Sequence, residues 1–139
     1  WLRKLIESHG LSAKYVSHNR QPRDRTIELL SECSLFYIGL TRDKEQGILP
    51  QRLFDLAASG RPILAYTAPD SELASFVSTI DNGYVFDDDS IAEAVPYVER
   101  TIRRWSEDDL AITPRPAYAA SYSAETMVRA FAELLDEIV

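Results

Sequence analysis

Two uninterrupted apolar runs constrain the fold more than any other feature of this sequence. They are "LFYIGL" at 35–40 and "PILAYT" at 62–67. A strand without polar alternation is typical of a parallel sheet buried on both faces. Between the runs, the segment 50–60 begins with a proline and ends with a glycine, as helices often do. Strand, helix and strand in this order predict a βαβ unit with a right-handed crossover.

The same alternation continues along the rest of the chain. Further strands are predicted at 13–18 ("AKYVSH") and 84–86 ("YVF"), and helices at 1–10, 22–33, 70–80, about 90–106 and 123–138. We therefore expect a single α/β domain over 1–139, with about four strands in a Rossmann-like, doubly wound parallel sheet of three layers. Ligands of such sheets bind beyond the carboxyl ends of the strands. The loops there are 18–25, 41–49, 67–70 and 87–90.

Composition and charge narrow the classes of function. A net charge of −7 argues against a nucleic-acid-binding domain. The single cysteine, Cys33, excludes an internal disulfide, and no apolar run reaches the length of a bilayer span, so we expect a cytoplasmic protein. Positions 1–61 carry ten Lys and Arg against seven Asp and Glu, whereas positions 62–139 carry five against fifteen. An anion is therefore expected to favour the first half.

The helix predicted at 50–59 carries a narrow polar seam. Gln51, Arg52, Asp55 and Ser59 fall within a stripe about 100° wide, and apolar residues cover the rest of the helix. Arg52 lies in the first turn, where the helix dipole disfavours a cation unless an anion binds there. The alternative is a surface pair between Arg52 and Asp55 worth a few tenths of a kcal/mol, about 0.2–0.5. The pattern alone leaves both interpretations open and favours the surface pair.

A longer stretch, "GILPQRLFDLAASGRPILAYTAPDSELASFV", resembles the donor-binding segment of group 1 glycosyltransferases with the GT-B fold. The upstream "ELLSECSLFYIGL", the "NGYVF" strand, the acidic turn before the next helix and the "YS" before the last helix are also similar to that family. The resemblance runs from about residue 11 to the end and is most specific at 47–72. It implies part of a GT-B C-terminal domain, truncated at its start.

The resemblance implies the donor-binding half of an enzyme that moves a sugar from a nucleotide-diphosphate sugar to a glycan or lipid-linked acceptor. The donor would be a substrate, with no other cofactor and no metal. The main partner would be a missing N-terminal acceptor domain, to which the terminal helix 123–138 could cross, and the isolated fragment would be inactive. The resemblance leaves room for peripheral membrane association of the whole enzyme and for an oligomer formed through the unpaired sheet edge.

The resemblance also assigns roles to individual residues. Asp55 matches the acid that accepts hydrogen bonds from the ribose hydroxyls, and Arg52 matches a basic position facing the diphosphate. His18 corresponds to the strand end that holds the base. Two loops close the crevice, and the candidate substrate-binding residues in them are Gly47, Ile48, Leu49, Thr67, Asp70 and Ser71. No catalytic residue is assigned within these 139 positions.

Some features depart from the family pattern and keep alternatives open. Many relatives have a second acid, but the corresponding position here is Gly47, and Glu45 lies two positions early. A non-catalytic Rossmann-like binding module and a sugar-nucleotide epimerase of the same architecture are the alternatives. The acidic run Asp87–Asp89 fits a helix-capping loop better than a Mg²⁺ site. The strand at 13–18 would lack its normal neighbour, so it would pair differently or with another chain.

Overall fold

A computed structural model describes residues 2–40, 49–108, 112, 114 and 120–138. The chain divides into two compact units, Trp1–Ser31 and Glu32–Val139, and each is described by itself.

The first unit consists of short helices and extended chain. Helix α1 spans Leu2–Ser8, a 3-10 turn follows at Ser12–Lys14, and helix α2 spans Arg23–Glu32, its last residue belonging to the second unit. Gly10 ends α1 with a positive φ of 67°, which lets the Leu11 amide donate to the Ile6 carbonyl at 3.0 Å. The helices predicted at 1–10 and 22–33 are thus confirmed, with the usual trimming at their ends.

The strand predicted at 13–18 is wrong. The 3-10 turn covers the start of this segment, and its remaining residues form no ladder with any part of the chain that the structure describes. Every residue of the segment is exposed, Val16 to 72%. A strand needs both a hydrogen-bonded neighbour and an apolar face to bury, and "AKYVSH" has neither here.

The second unit is built on a parallel sheet. Its strands are β1 (Phe36–Gly39), β2 (Ile63–Tyr66) and β3 (Gly83–Phe86), and they lie in the order β1-β2-β3. Its helices are α3 (Arg52–Ala58), α4 (Glu72–Ser78), α5 (Ile91–Ser106) and α6 (Ala124–Ile138). The described residues therefore show an α/β fold with an open sheet of three parallel strands, where about four were predicted.

Helices lie on both faces of this sheet. On one face, α4 comes so close to β3 that a Cβ on Gly83 would overlap the carbonyl oxygen of Val77. On the other face, Leu64 and Phe86 form a buried cluster with Ala94 of α5. Gly83 and Phe86, three positions apart on β3, therefore lie on opposite faces of the sheet, as the pleat requires. Gly83 is needed because only a residue without a side chain permits this approach.

The first strand differs from the expectation in its burial. Phe36 and Ile38 are buried, but Tyr37 between them is 63% exposed, so β1 alternates instead of being buried on both faces. Among the described residues β1 is an edge strand paired only with β2. The α5 cluster reaches Leu64, the neighbour of Tyr37 in the register, but Tyr37 lies outside it. In an edge strand that is covered on one face only, buried and exposed side chains alternate, whatever the sequence.

Candidate functional site

Of the polar seam predicted on α3, Gln51, Arg52 and Asp55 are exposed, whereas Ser59 is half-buried and its hydroxyl donates to the Leu56 carbonyl. Leu53, Leu56 and Ala57 are buried in the core, whereas Arg52 and Asp55 are exposed. Half-buried Phe54 meets the ring of Phe76 on α4 edge-on, with the centroids 5.4 Å apart. The helix is thus held by its apolar side, and its two charged side chains face outward together.

The position of these charges follows from how α3 begins and ends. Gln51 is the N-cap and the helix begins at Arg52, while the Pro50 carbonyl accepts from the Leu53 amide at 2.8 Å, so Arg52 falls in the first turn. Gly60, with φ of 71°, ends it and turns the chain toward β2. Residues three positions apart on a helix lie on the same side, with Cβ atoms roughly 5–6 Å apart. Arg52 and Asp55 can therefore contact neighbouring groups of one ligand.

The loop from β2 to α4 is fixed from inside. Thr67 is buried, and its hydroxyl lies 2.9 Å from that of Ser71. Ser71 is the N-cap of α4, because its hydroxyl oxygen accepts from the Ala74 amide at 3.0 Å. Asp70, the residue before the cap, is exposed. Both hydroxyls of the loop face the interior, so an external ligand meets the Asp70 side chain and the backbone.

The carboxyl ends of the three strands lie side by side. The Leu40 amide donates to the Tyr66 carbonyl, and the Thr67 amide donates to the Phe86 carbonyl, both at 3.0 Å. The residues that follow the strands, Leu40, Thr67 and Asp87, therefore form one edge. This is the edge at which parallel α/β sheets bind their ligands.

The acidic run after β3 forms a turn that supports α5. One carboxylate oxygen of Asp87 accepts from the Asp89 and Ser90 amides at 3.1 and 3.0 Å and from the Ser90 hydroxyl at 2.6 Å. The neighbouring Asp88 accepts from the Tyr66 hydroxyl at 2.7 Å. Among the described residues no group of three or more His, Cys, Asp or Glu is placed to hold a metal ion. The Asp87 carboxylate therefore closes the turn before α5, whereas the N-cap residue of α5, Ser90, makes no side-chain capping bond to the helix.

The Tyr66–Asp88 bond was not predicted from the sequence, although a signal for it exists. Tyr66 is the penultimate residue of the strand predicted at 62–67, and Asp88 lies in the loop after the next strand. In a parallel sheet those two positions meet at the same edge.

The remaining candidates are Leu49, Gly47, Ile48 and His18. Leu49 is half-buried just before α3, and Gly47 and Ile48 lie outside the described residues. His18 is exposed and belongs to the first unit. The structure thus brings together Arg52 with Asp55 on α3, and Thr67 with Asp70 and Ser71 in the next loop.

Comparisons with protein-family models, with curated proteins and with solved structures found no match. The resemblance of the segment 47–72 to group 1 glycosyltransferases therefore stays a prediction. None of the described helices is long and apolar enough to cross a membrane.

Proposed function

We propose that this chain binds the diphosphate and ribose of a nucleotide sugar, as the donor-binding half of a glycosyltransferase with a Rossmann-like, GT-B type domain. The observation that carries the proposal is the pair Arg52 and Asp55, both exposed on a helix whose other side chains are buried or half-buried. Because α3 follows β1 and precedes the parallel strand β2, its first turn lies at the carboxyl edge of the sheet.

The chemistry of the pair suits the two neighbouring parts of such a ligand. The guanidinium of Arg52 presents several N–H donors in a planar fork, which matches the oxygens of a phosphate. The carboxylate of Asp55 is an acceptor only and can take hydrogen bonds from two vicinal hydroxyls at once. Diphosphate and ribose are adjacent in a sugar nucleotide, as Arg52 and Asp55 are on α3.

In the transfer reaction the chain would stabilise the leaving group. Negative charge develops on the departing nucleoside diphosphate, and Arg52 together with backbone N–H groups of the adjoining loops would balance it. No residue here is assigned as an acid, base or nucleophile. The acceptor, a glycan or a lipid-linked sugar, would be bound by another domain of a cytoplasmic enzyme, and the activity would need that domain.

A non-catalytic nucleotide-binding module is the second candidate. Two observations favour it: Gly47 stands where many glycosyltransferases have an acid, and the hydroxyls of Thr67 and Ser71 are turned inward. Such a module would keep the diphosphate contact of Arg52 and lack the contact to the sugar hydroxyls.

Calorimetric titration with UDP, GDP and ADP tests the nucleotide site. We expect one of the three to bind, and binding to weaken about tenfold or more in Asp55→Ala and in Arg52→Ala, because each variant removes a charge-assisted contact of about 1.5–3 kcal/mol. Glu72→Ala, an exposed acid on α4, is the matched control and should bind as the parent does. Equal binding in all four proteins would refute the assigned site, and no binding at all would refute the proposal for this chain.

A nucleotide sugar then separates the two candidates. If the chain is a donor half, the sugar diphosphate should bind at least as tightly as the free diphosphate. A module that recognises only the nucleotide should bind the sugar form more weakly, because the extra sugar finds no partner.

A further inference from the structure

The ring of Tyr122 packs on α3, although it comes from a distant part of the chain. It stacks on Phe54 with the centroids 4.2 Å apart and the ring planes 22° from parallel. It also meets the ring of Phe76 on α4 at 5.7 Å, and Phe54 and Phe76 contact each other edge-on. The three rings therefore form one cluster, which joins α3 to the C-terminal segment at 120–138.

The turn that carries Tyr122 is closed by hydrogen bonds on either side of it. The Ser123 amide donates to the Ala120 carbonyl at 3.2 Å, and the Thr126 hydroxyl donates to the same carbonyl at 2.8 Å. The Ser123 hydroxyl oxygen accepts from the Thr126 amide at 3.2 Å, as an N-cap of α6 does. The backbone around Tyr122 is thus fixed by its own turn, which lowers the entropy cost of holding the ring on Phe54.

The C-terminal segment offers a matched pair of aromatic residues, one packed and one not. Every side chain described on α6, at 124–136, is exposed, and the ring of Phe131 is 62% exposed. The ring of Tyr122 instead packs on two rings of the core. Tyr122 is therefore the aromatic residue through which this segment holds α3.

Helix α3 depends on such outside contacts because it is short. It has seven residues, and Gln51 at its N-cap makes no side-chain capping bond. A helix of this length is not stable in water without tertiary packing. Its inner side is buried in the core, and its flank is held through the half-buried Phe54, on which both Phe76 and Tyr122 pack.

Phe54 borders the polar seam of α3 on the side of Asp55. Successive residues of a helix are about 100° apart, so Phe54 lies one step from Asp55 and about 160° from Arg52. A movement of α3 at Phe54 would therefore displace Asp55 before Arg52. The position of the exposed Asp55 carboxylate depends on the stack between Phe54 and Tyr122.

We propose that Tyr122 is a positioning residue for Asp55. Its ring, stacked on Phe54, holds α3 in the orientation in which the Asp55 carboxylate accepts hydrogen bonds from the ribose. The C-terminal segment thereby controls the affinity of the site for a nucleotide without touching the ligand. This role rests on the nucleotide site proposed above, whereas the hold of Tyr122 on α3 is measurable without a nucleotide.

Backbone order parameters from NMR relaxation test the hold on α3 in the absence of a nucleotide. We expect rigid values of about 0.85 at Phe54 and Asp55 in the parent and a fall to about 0.6 in Tyr122→Ala. Tyr122→Phe keeps the ring and should keep the rigid values, as should the matched control Phe131→Ala. Unchanged values at Phe54 and Asp55 in Tyr122→Ala would overturn the proposal. An equal loss of order in β2 would overturn it too, because Tyr122 would then hold the whole unit.

Calorimetric titration with UDP, GDP and ADP measures the consequence for binding. For the nucleotide that binds the parent, Tyr122→Ala should weaken binding about tenfold, the order of magnitude that an aromatic stack contributes. Tyr122→Phe and Phe131→Ala should bind within about twofold of the parent. Parent-like binding in Tyr122→Ala would overturn the proposal, as would an equally large loss in Tyr122→Phe.

Combined variants show whether Tyr122 acts through Asp55. Once Asp55→Ala has removed the carboxylate, Tyr122→Ala should weaken binding by less than about threefold, whereas in Arg52→Ala it should keep most of its effect. The same loss in both backgrounds would overturn the proposal. If none of the three nucleotides binds the parent, the nucleotide site is refuted and with it the role of Tyr122 in binding, while the order parameters still decide whether Tyr122 holds α3.

Discussion

The hydroxyls of Thr67 and Ser71 lie 2.9 Å apart inside the protein and join the end of β2 to the first turn of α4. Ser71 also accepts from the Ala74 amide, so one hydroxyl caps the helix and ties it to the sheet. Both side chains are buried, at 1% and 7% exposure. The loop beside the proposed ligand edge is therefore held from within, and this leaves its outer backbone and Asp70 in a fixed position.

Replacing Thr67 with valine removes the hydroxyl and keeps the shape. We expect the free energy of unfolding to fall by about 1–2 kcal/mol, because the buried Ser71 hydroxyl loses a partner. Urea unfolding measures this, and Thr67→Ser, which restores a hydroxyl at the cost of one methyl group, should recover part of the loss. A Thr67→Val variant as stable as the parent would show that this hydrogen bond contributes nothing to the stability.

Replacing Ser71 with alanine removes the cap as well as the bond. Loss of the cap alone should lower the free energy of unfolding by about 1–2 kcal/mol. The double variant Thr67→Val with Ser71→Ala should be less destabilised than the sum of the two single variants by about 0.5–1.5 kcal/mol, because both remove the same hydrogen bond. A double-mutant cycle in urea gives the coupling, and strict additivity would contradict the assigned bond.

Gly83→Ala tests the close approach of α4 to β3. A Cβ at this position would overlap the Val77 carbonyl, and a backbone atom cannot easily move aside. We therefore expect the free energy of unfolding to fall by about 1–3 kcal/mol. Gly39→Ala is the matched control in another strand. There the nearest atom is the far end of the Tyr37 side chain, at 2.8 Å, and that exposed ring can swing away. If Gly83→Ala and Gly39→Ala lose the same amount of stability, the close contact with α4 is not the cause of the loss in Gly83→Ala.

Much of the fold was predictable because it depends on local pattern. The apolar runs at 35–40 and 62–67, together with Pro50 and Gly60, locate two strands and the helix between them. The exposed pair Arg52 and Asp55 follows from helical spacing alone, so this part of the candidate site was also predictable. In each case the information lies within a dozen residues of chain.

The failures depend on neighbours that a local pattern does not contain. The segment 13–18 has strand-like composition, but a strand exists only where a second strand pairs with it. Tyr37 sits in a continuous apolar run, yet its burial depends on whether a helix covers that face of β1. The contact between the hydroxyls of Thr67 and Ser71 was not predicted either, because it depends on how the loop folds against the sheet.

Tyr97 gives a prediction for alkaline pH. Its hydroxyl donates to the Asn82 carbonyl at 2.7 Å, and its ring stacks on Tyr84 with centroids 4.7 Å apart. Burial raises the pKa of this phenol above its ordinary value of 10.0, and the opposing effects of Thr101 and Arg100 are smaller. The folded protein therefore favours the protonated phenol.

The sign of the pH dependence follows from that direction. Below pH 10.0, the ordinary pKa that the phenol has in the unfolded chain, Tyr97 is protonated in both the folded and the unfolded protein. Its contribution to the stability of the fold is therefore fully present there. As the pH rises beyond that value, the unfolded chain loses its proton first and the stability falls. Tyr97→Phe should cost about 1 kcal/mol at pH 7, through the lost bond to Asn82, and should show a shallower fall above about pH 10. Tyr15→Phe, in the first unit, is the control for removing a tyrosine, and equal alkaline slopes in the parent and Tyr97→Phe would contradict the assignment.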